Sequence, residues 1–541
     1  MNARTGTGRL VHLVLRRDRV RIAVWVLGTP VLAAALAGSV TGLYRSEQDR
    51  VTYAGTAAAS LVARAFNGPV AGPSTGSVVF AESYLTLAVL TALLSTFAVV
   101  RHTRQNEETG RAELLGAAVV GRYALLTAAL GVTVAVNLVT AALLALALVG
   151  GGLPVAGSVA TGAAVATVGV SFAAVAAVAA QLSGTSRGAN ALAAAAVGVS
   201  FVLRAAGDVS GDTTPDGLRV VSAWPSWLSP LGWATLIRPY GGERWWVLLL
   251  PLALLVTAVL AAYRLTGRRD LGAGLFATRR GPARASRRLL SPFGLAWRLQ
   301  RPALLGWAVG VAVLGFGMGL AADEVENMVG ENAAAAEVIA QLGGGANLVD
   351  AYLTAMLGIF ALTIGGYVVQ AMLRTRTEET DGTLEALLAT AVGRSRWLAG
   401  HLSTALVGAL LLIVLAGVST GLGYAMVAGD PAGRVGELAG AALVRFPALL
   451  VLAGVVVLLF GLLPRWAVPL SWGALIVFLL LGQLGAVLDL PQALLDVSPY
   501  THVPALPSAE VAVLPLAVLT AVAVALLAAG LTGFRRRDLT P

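Results

Sequence analysis

The charged residues that could carry chemistry are concentrated in a short island, residues 376–388, between two long apolar runs. The island reads R-T-E-E-T-D-G-T-L-E-A-L-L. Thr383 can cap a helix whose first turn contains Glu385, where the positive end of a helix favours a carboxylate. The three leucines after Thr383 form one apolar stripe beside the acids. Such a short amphipathic helix is suited to docking into a groove of a partner; the alternative is a solvated loop whose charges avoid lipid.

A second copy of this island lies earlier in the chain, at a constant spacing. Its matching residues are Arg104, Glu107, Gly110, Glu113 and Arg122, which correspond to Arg376, Glu379, Gly382, Glu385 and Arg394. In the first copy Arg111 stands where the second has Thr383, and the apolar stripe is weaker. Two copies at one spacing, each after the second apolar stretch of its half, favour a functional surface over a solvated loop. They also indicate an internal duplication.

The elements that must position the islands are membrane helices. Of the 541 residues, 57% are hydrophobic and 12% are charged, whereas soluble proteins average about a quarter charged. Stretches of roughly 20 apolar residues, the length needed to cross the hydrocarbon, recur along the whole chain. The sequence therefore predicts an all-α polytopic membrane protein with twelve transmembrane helices in two six-helix repeats. The predicted spans are 22–43, 81–100, 122–149, 158–181, 188–206, 245–263, 303–322, 351–373, 399–428, 438–463, 468–488 and 511–533.

Charge and span number together predict the orientation of the chain. The first repeat covers 1–263, an arginine-rich cytoplasmic linker covers 264–291, and the second repeat covers 292–541. An even number of spans makes the two repeats parallel, so the seam between them is the expected substrate pathway. Cytoplasmic N- and C-termini place most of the 38 arginines inside, as the positive-inside rule requires. The arginine distribution favours the lipid bilayer over nucleic acid as a partner.

Two missing residue types exclude whole classes of chemistry. The chain has no cysteine, so it can form neither disulfides nor thiolate metal sites. All its basic residues are arginine, so it lacks the lysine of a phosphate-binding loop, and another chain would have to hydrolyse ATP. The four histidines are scattered without metal-ligand spacing, and we expect no metal site.

The second island resembles the cytoplasmic loop of ABC-2 type exporter permeases. The resemblance rests on the acidic residues, the G-T-L-E at 382–385, the two leucines that follow, and Arg394. The runs R-D-L-G-A-G-L from Arg269 and L-A-W-R-L-Q-R from Leu295 are similar to one subgroup. This subgroup consists of fused two-repeat permeases of high-GC bacteria, described as exporters of polyketide antibiotics. The similarity covers essentially the whole chain, but the first island lacks T-L-E.

This resemblance implies a type V exporter fold in the bacterial plasma membrane, with an elbow helix and a cytoplasmic coupling helix in each repeat. The elbows would be 8–21 and 292–301, and the coupling helices 107–120 and 379–392. A separate ATPase subunit, in two copies, would hold ATP and magnesium, so this chain would bind no cofactor and would not itself be an enzyme. The implied coupling residues are Arg104, Glu107, Glu108, Gly110, Glu113, Arg122, Arg376, Glu378, Glu379, Gly382, Glu385 and Arg394. The cargo would be hydrophobic or amphipathic compounds such as antibiotics.

Family analogy also nominates residues for the substrate pathway, because the second and fifth spans of each repeat would line the seam. The polar residues there are Glu82, Tyr84, Thr91, Tyr352, Tyr367, Gln370 and Gln483. Their other interpretation is as interface or core residues. Three further functions stay open: a proton-coupled secondary multidrug transporter, a membrane enzyme, and a membrane anchor for a signalling ATPase.

Overall fold

The computed structural model describes residues 3–276, 283–322, 325, 347–428, 431–484 and 491–539, without the side chains at 288, 431, 432, 483 and 484. Contacts divide the chain into two compact units, Met1–Gly281 and Pro282–Pro541. The boundary lies within the segment that the sequence analysis assigns to the linker.

The first unit is helical apart from one short strand pair. Its helices are α1 (Thr7–Arg17), α2 (Arg19–Leu43), α3 (Glu47–Ala59), α4 (Leu61–Phe66), α5 (Thr75–His102), α6 (Arg104–Glu108), α7 (Arg111–Gly116), α8 (Ala124–Gly150), α9 (Val155–Leu182), α10 (Ser186–Val209), α11 (Pro230–Leu236) and α12 (Leu249–Arg268). Strands β1 (Asp212–Thr213) and β2 (Val220–Val221) pair antiparallel. Single 3₁₀ turns cover Trp224–Leu228 and Trp245–Leu248.

Helix α9 lies at the centre of the first unit, where it packs against α5, α8, α10 and α12. Its sequence is rich in alanine, glycine and valine, so neighbouring backbones approach closely. A Cβ atom at Gly162 would lie 2.5 Å from the carbonyl oxygen of Ala141 in α8. In lipid, where apolar burial gives little driving force between helices, close packing of small residues holds a bundle together.

The second unit is also built from helices. They are α13 (Pro292–Ala321), α14 (Leu348–Thr380), α15 (Thr383–Leu388), α16 (Arg394–Ala428), α17 (Pro431–Leu443), α18 (Phe446–Leu462), α19 (Ala467–Leu484), α20 (Gln492–Leu495) and α21 (Val513–Arg536), after a 3₁₀ turn at Arg287–Leu290. Helix α13 packs along α16, and α18 packs along α21. Trp397, Phe460 and Phe534 form an aromatic cluster at one end of this core, with the rings of Phe460 and Phe534 5.1 Å apart.

Among the described residues, eleven helices are long and apolar enough to cross a membrane. The prediction of an all-α polytopic membrane protein is confirmed, and the number twelve stays a prediction. Span 468–488 corresponds to a shorter apolar helix, Ala467–Gly482, and its last residues lie outside the described part of the chain. Span 438–463 consists of α17 and α18, which are interrupted near Arg445. The buried guanidinium of Arg445 donates to carbonyl oxygens of Ala441, Thr354 and Leu506.

The two predicted elbows differ in structure. Most of 8–21 forms the separate helix α1, which ends at Arg17 and is followed by Asp18. The segment 292–301 is not a separate helix, because α13 continues from it without a break to Ala321. When Arg16, Arg19 and Trp25 are aligned with Arg298, Arg301 and Trp307, Gln300 corresponds to Asp18, and it lies within that helix.

The tryptophan-rich loop between α10 and α12 folds back onto the first unit. All residues from Leu231 to Leu236 in α11 are buried. A buried ion pair supports this loop: Arg204 and Asp208 of α10 lie 3.3 Å apart, and both side chains are fully inaccessible. The hydroxyl of Ser226, in the loop, donates to the Asp208 carboxylate at 2.9 Å.

We expect Asp208→Asn to destabilise the first unit by about 3 kcal/mol, because it leaves the buried Arg204 guanidinium without a counter-charge. Thermal unfolding of the purified protein in detergent, followed by tryptophan fluorescence, measures the effect. Asp212→Asn makes the same chemical change at an exposed position and should leave the unfolding midpoint unchanged. Equal midpoints for the two variants would contradict the assignment.

Candidate functional site

Each charged island begins with a glycine turn that starts its short helix. Gly382 has a φ of +73° and Gly110 a φ of +70°, a left-handed conformation that side-chain-bearing residues rarely adopt. Helix α15 begins after Gly382, and α7 after Gly110. The prediction that Thr383 caps α15 is wrong, because Gly382 occupies the N-cap position. The Thr383 hydroxyl instead donates to the carbonyl oxygen of Glu378 at 3.1 Å.

In the second unit a buried carboxylate, Glu379, is shared by two arginines. Arg376, one turn earlier in α14, lies 3.0 Å from it. Arg537, just after α21, donates both terminal nitrogens to its two oxygens at 2.5 and 2.9 Å. The Glu379 side chain is only 2% exposed. A bidentate arginine–carboxylate pair of this kind has a defined geometry as well as a strong attraction, so the island is tied to the segment that follows the last membrane helix.

The first unit contains the same arrangement. Glu107 lies 2.8 Å from Arg104 and 2.6 Å from Arg269, which follows α12. The second terminal nitrogen of Arg269 also reaches Glu107, at 2.8 Å. The Glu107 side chain is 8% exposed. We call each set of one glutamate and two arginines a clamp: Glu107, Arg104 and Arg269 in the first unit, and Glu379, Arg376 and Arg537 in the second.

A further arginine strengthens each clamp through the backbone. Arg394, at the start of α16, donates to the carbonyl oxygen of Arg537 at 2.6 Å. Arg122, its counterpart before α8, donates to the carbonyl oxygens of Thr266 and Arg269 at 3.1 and 2.9 Å. Because these donors hold the backbone that carries the clamp arginine, both ends of each island are attached to the same tail segment.

Sequence reasoning missed Arg269 and Arg537 as partners of the islands. A signal for them exists, since the tetrapeptide R-R-D-L occurs at 268–271 and again at 536–539, each time just after a sixth apolar stretch. Because this tetrapeptide recurs at corresponding places of the two halves, as the islands do, it indicates a shared structural role.

The other acidic residues of the islands divide into buried and exposed groups. Glu378 is held by Arg374 at 3.2 Å and His401 at 3.3 Å. Glu108 accepts hydrogen bonds from the backbone and hydroxyl groups of Ser186, at 2.9 and 2.5 Å. Glu113 and Glu385, at the same position of the two short helices, have exposed side chains.

The apolar stripe of the second island faces its own unit. Leu384 is fully buried, and Leu387 and Leu388 are partly buried against the core. The interpretation of this stripe as a docking surface is therefore wrong, because the stripe anchors α15 to the helices above it. In the first island, by contrast, Leu114 is 77% exposed.

The nominated substrate residues of the first unit do not form one cluster. The Glu82 carboxylate accepts hydrogen bonds from the Tyr53 hydroxyl and, at 3.1 Å, from the Asn67 amide. Burial, and then the nearby Glu82, raises the pKa of Tyr53 well above its ordinary value, so the phenol stays protonated and donates. Tyr84 donates to the carbonyl oxygen of Leu231 at 2.5 Å. The buried hydroxyl of Thr91 has no hydrogen-bond partner among the described residues.

In the second unit the nominated residues lie mainly on α14. Tyr352 donates to the carbonyl oxygen of Met318 at 3.3 Å. The Tyr367 ring packs edge-on against Trp307, and its buried hydroxyl has no hydrogen-bond partner within the described part of the chain. The Gln370 side chain accepts a hydrogen bond from Trp307 at 2.8 Å. Gln483 lies in α19, but its side chain is outside the described residues.

The described residues contain no group of three or more histidine and acidic side chains placed to hold a metal ion. The two clamps are therefore the buried charged groups that the two units have in common.

Comparison with known proteins assigns the chain to a family. It is 42% identical over 538 residues to the multidrug efflux system permease protein Rv1217c of Mycobacterium tuberculosis (strain ATCC 25618 / H37Rv), a match that covers 99% of this chain and 95% of that protein. The chain belongs to the Rv1217c permease family. A family model described as the C-terminal domain of multidrug efflux system permease Rv1217c also matches residues 289–535. This match covers nearly the whole second unit, including α14, α15 and Arg394 of the second island.

A glutamine at position 379 should destabilise the second unit by about 3 kcal/mol, because Glu379→Gln leaves Arg376 and Arg537 without their shared carboxylate. Glu107→Gln should have a comparable effect on the first unit. Limited proteolysis after α21 and thermal unfolding in detergent both report the loss.

The matched control is Glu385→Gln, the same substitution six residues away on an exposed surface, and it should change neither readout. If Glu379→Gln and Glu385→Gln behaved alike, the clamp would contribute nothing measurable to the fold.

Proposed function

We propose that this chain is the membrane permease of an ATP-driven exporter, an ABC-2 type protein with the type V fold. Its family membership supports a role in efflux, since the relative is named a multidrug efflux system permease protein. A separate ATPase would supply the energy, because the chain has no lysine with which to build a phosphate-binding loop. ATP and magnesium belong to that partner, and the cargo is a hydrophobic or amphipathic compound such as an antibiotic.

The observation that carries this proposal is the repeated island with its clamp. A short helix with one exposed glutamate, Glu113 or Glu385, sits on a rigidly held base in each unit. Two such surfaces suit two ATPase subunits, one for each repeat. The clamp next to each short helix joins the island to the residues that follow α12 or α21. A partner that pushes on the short helix would therefore transmit force to the membrane helices.

The two contacts would differ in charge and shape. The first short helix carries Arg111 and the exposed Leu114, whereas the second carries Thr383 at the position of Arg111 and turns its leucines inward. We infer that the two ATPase subunits meet unequal surfaces, whether or not they are identical chains. The full arrangement of twelve spans, cytoplasmic termini and a bacterial plasma-membrane location belongs to the same proposal.

Glu82 favours one alternative, a proton-coupled secondary transporter. It is an acidic residue within a membrane helix, and no ion pair to it occurs among the described residues; such residues commonly mark proton or substrate pathways. This function would need neither an ATPase nor the repeated short helices.

Reversing the exposed charges, as in the double variant Glu113→Arg, Glu385→Arg, should disrupt binding of the ATPase without unfolding the permease. The test is to co-express the chain with an ABC ATPase subunit encoded in the same genome, then measure co-purification and drug-stimulated ATP hydrolysis. We expect the wild type to retain the ATPase and the variant to lose at least tenfold of the stimulated activity, a change of about 1.4 kcal/mol in coupling.

The control is Glu47→Arg, Glu510→Arg, which makes the same charge change at two exposed positions outside the islands. It should behave like the wild type. Transport of drug into proteoliposomes under a proton gradient, by a chain that binds no ATPase, would refute the ATP-driven proposal and support the secondary transporter.

A further inference from the structure

An apolar groove runs along the first unit beneath α1. It has a volume of about 830 Å³ and lies between the α1–α2 segment and α8. Its lining is apolar except at Arg19, and it consists of Val11, Leu15, Arg19, Ile22, Ala23, Val26, Leu27, Gly131, Val132, Ala135, Val136 and Val139. The groove exists because α1 is a separate helix that packs on α8 and contacts α2 only weakly.

The shape of the groove suits a hydrocarbon chain. Its floor on α8 extends from Gly131 to Val139, a rise of about 12 Å along the helix. Gly131 opens it further, since a Cβ atom built there would meet no other atom within 4 Å. Ile22 and Leu27 form the opposite wall, on a helix apolar enough to cross a membrane. A flexible acyl chain fills such a space better than a rigid or polar molecule.

The lining of this groove includes one positive charge, Arg19. The exposed side chain of Arg19 forms no ion pair or hydrogen bond with any residue that the structure describes. The acidic residue beside it, Asp18, is already taken by Arg101 at 3.0 Å and His102 at 2.7 Å. Arg16 and Arg17, in the last turn of α1, add to the positive charge nearby. The groove therefore combines an apolar trough with an uncompensated cation, which is complementary to an anionic headgroup.

The corresponding positions of the second unit carry different side chains. Where the first unit has Val11, Leu15 and Ala23, the second has Phe293, Trp297 and Leu305. Trp297 packs against the core of its unit. The predicted elbow segment there, 292–301, is the first part of α13 and not a separate helix. Arg301 stands at the position of Arg19.

We propose that the first repeat binds an anionic phospholipid, with one acyl chain in the groove and its phosphate at Arg19. The occupant is a lipid because both walls belong to membrane helices, and it is anionic because Arg19 has no internal partner. The site fixes the position of α1 relative to α8. This inference does not depend on the ATPase proposal, since it concerns the permease in a bilayer without any partner.

The test uses the full-length protein in nanodiscs of phosphatidylcholine and titrates a pyrene-labelled phosphatidylglycerol, reading energy transfer from the protein's tryptophans. We expect one saturable site for the wild type. Arg19→Gln should weaken binding of the anionic lipid about fivefold, the effect of one arginine near a membrane surface. Gly131→Leu, which fills the groove without a clash at its Cβ, should abolish the saturable site.

Matched controls come from the second repeat, where Arg301→Gln and Ser403→Leu make the same changes at the corresponding positions. Both should bind like the wild type. Three results would overturn the proposal: equal competition by unlabelled phosphatidylcholine, equal loss in the second-repeat controls, or saturable binding retained by Gly131→Leu. Displacement of the labelled lipid by a drug but not by unlabelled phosphatidylglycerol would assign the groove to cargo instead.

Discussion

A carboxylate removed from water needs a counter-charge, and this requirement determines where each charged island lies. Glu107 and Glu379 are almost fully buried, and each is neutralised by an arginine from its own island and by another that follows the last long helix of its unit, α12 or α21. Breaking a buried pair costs about 3–5 kcal/mol, so the islands cannot swing as free loops. The short helices α7 and α15, and the exposed glutamates on them, take their positions from this constraint.

Local features of the sequence predicted much of this arrangement. Membrane helices need long apolar stretches, so the approximate bounds of most of them follow from the hydropathy along the sequence, whereas the number twelve stays a prediction. The start of α15 was predicted one residue late, at a Thr383 cap, because the left-handed turns at Gly382 and Gly110 were not recognised. The partners of Glu379 could not be predicted in the same way, because Arg537 is 158 residues away in the chain. Which side of α15 faces inward was also out of reach. Its leucines would suit a partner's groove or its own core equally well, and only the packing of α14 and α16 decides.

The two units share the charges that hold each of them together but differ on their surfaces. The clamps match residue for residue, whereas Arg111 stands where the second unit has Thr383, and the exposed Leu114 stands where it has Ala386. Helix α1 is separate from α2, whereas α13 is unbroken. Replacing one member of a buried ion pair leaves the other without its counter-charge, which is unfavourable. Exposed positions carry no such cost, so the two surfaces can differ.

Each clamp closes within one unit: Arg269 reaches back to Glu107, and Arg537 reaches back to Glu379. Among the described residues, all three charged groups of a clamp come from the same unit. Each unit therefore neutralises its own buried carboxylate, and the anchoring of its short helix is a property of that unit's own sequence.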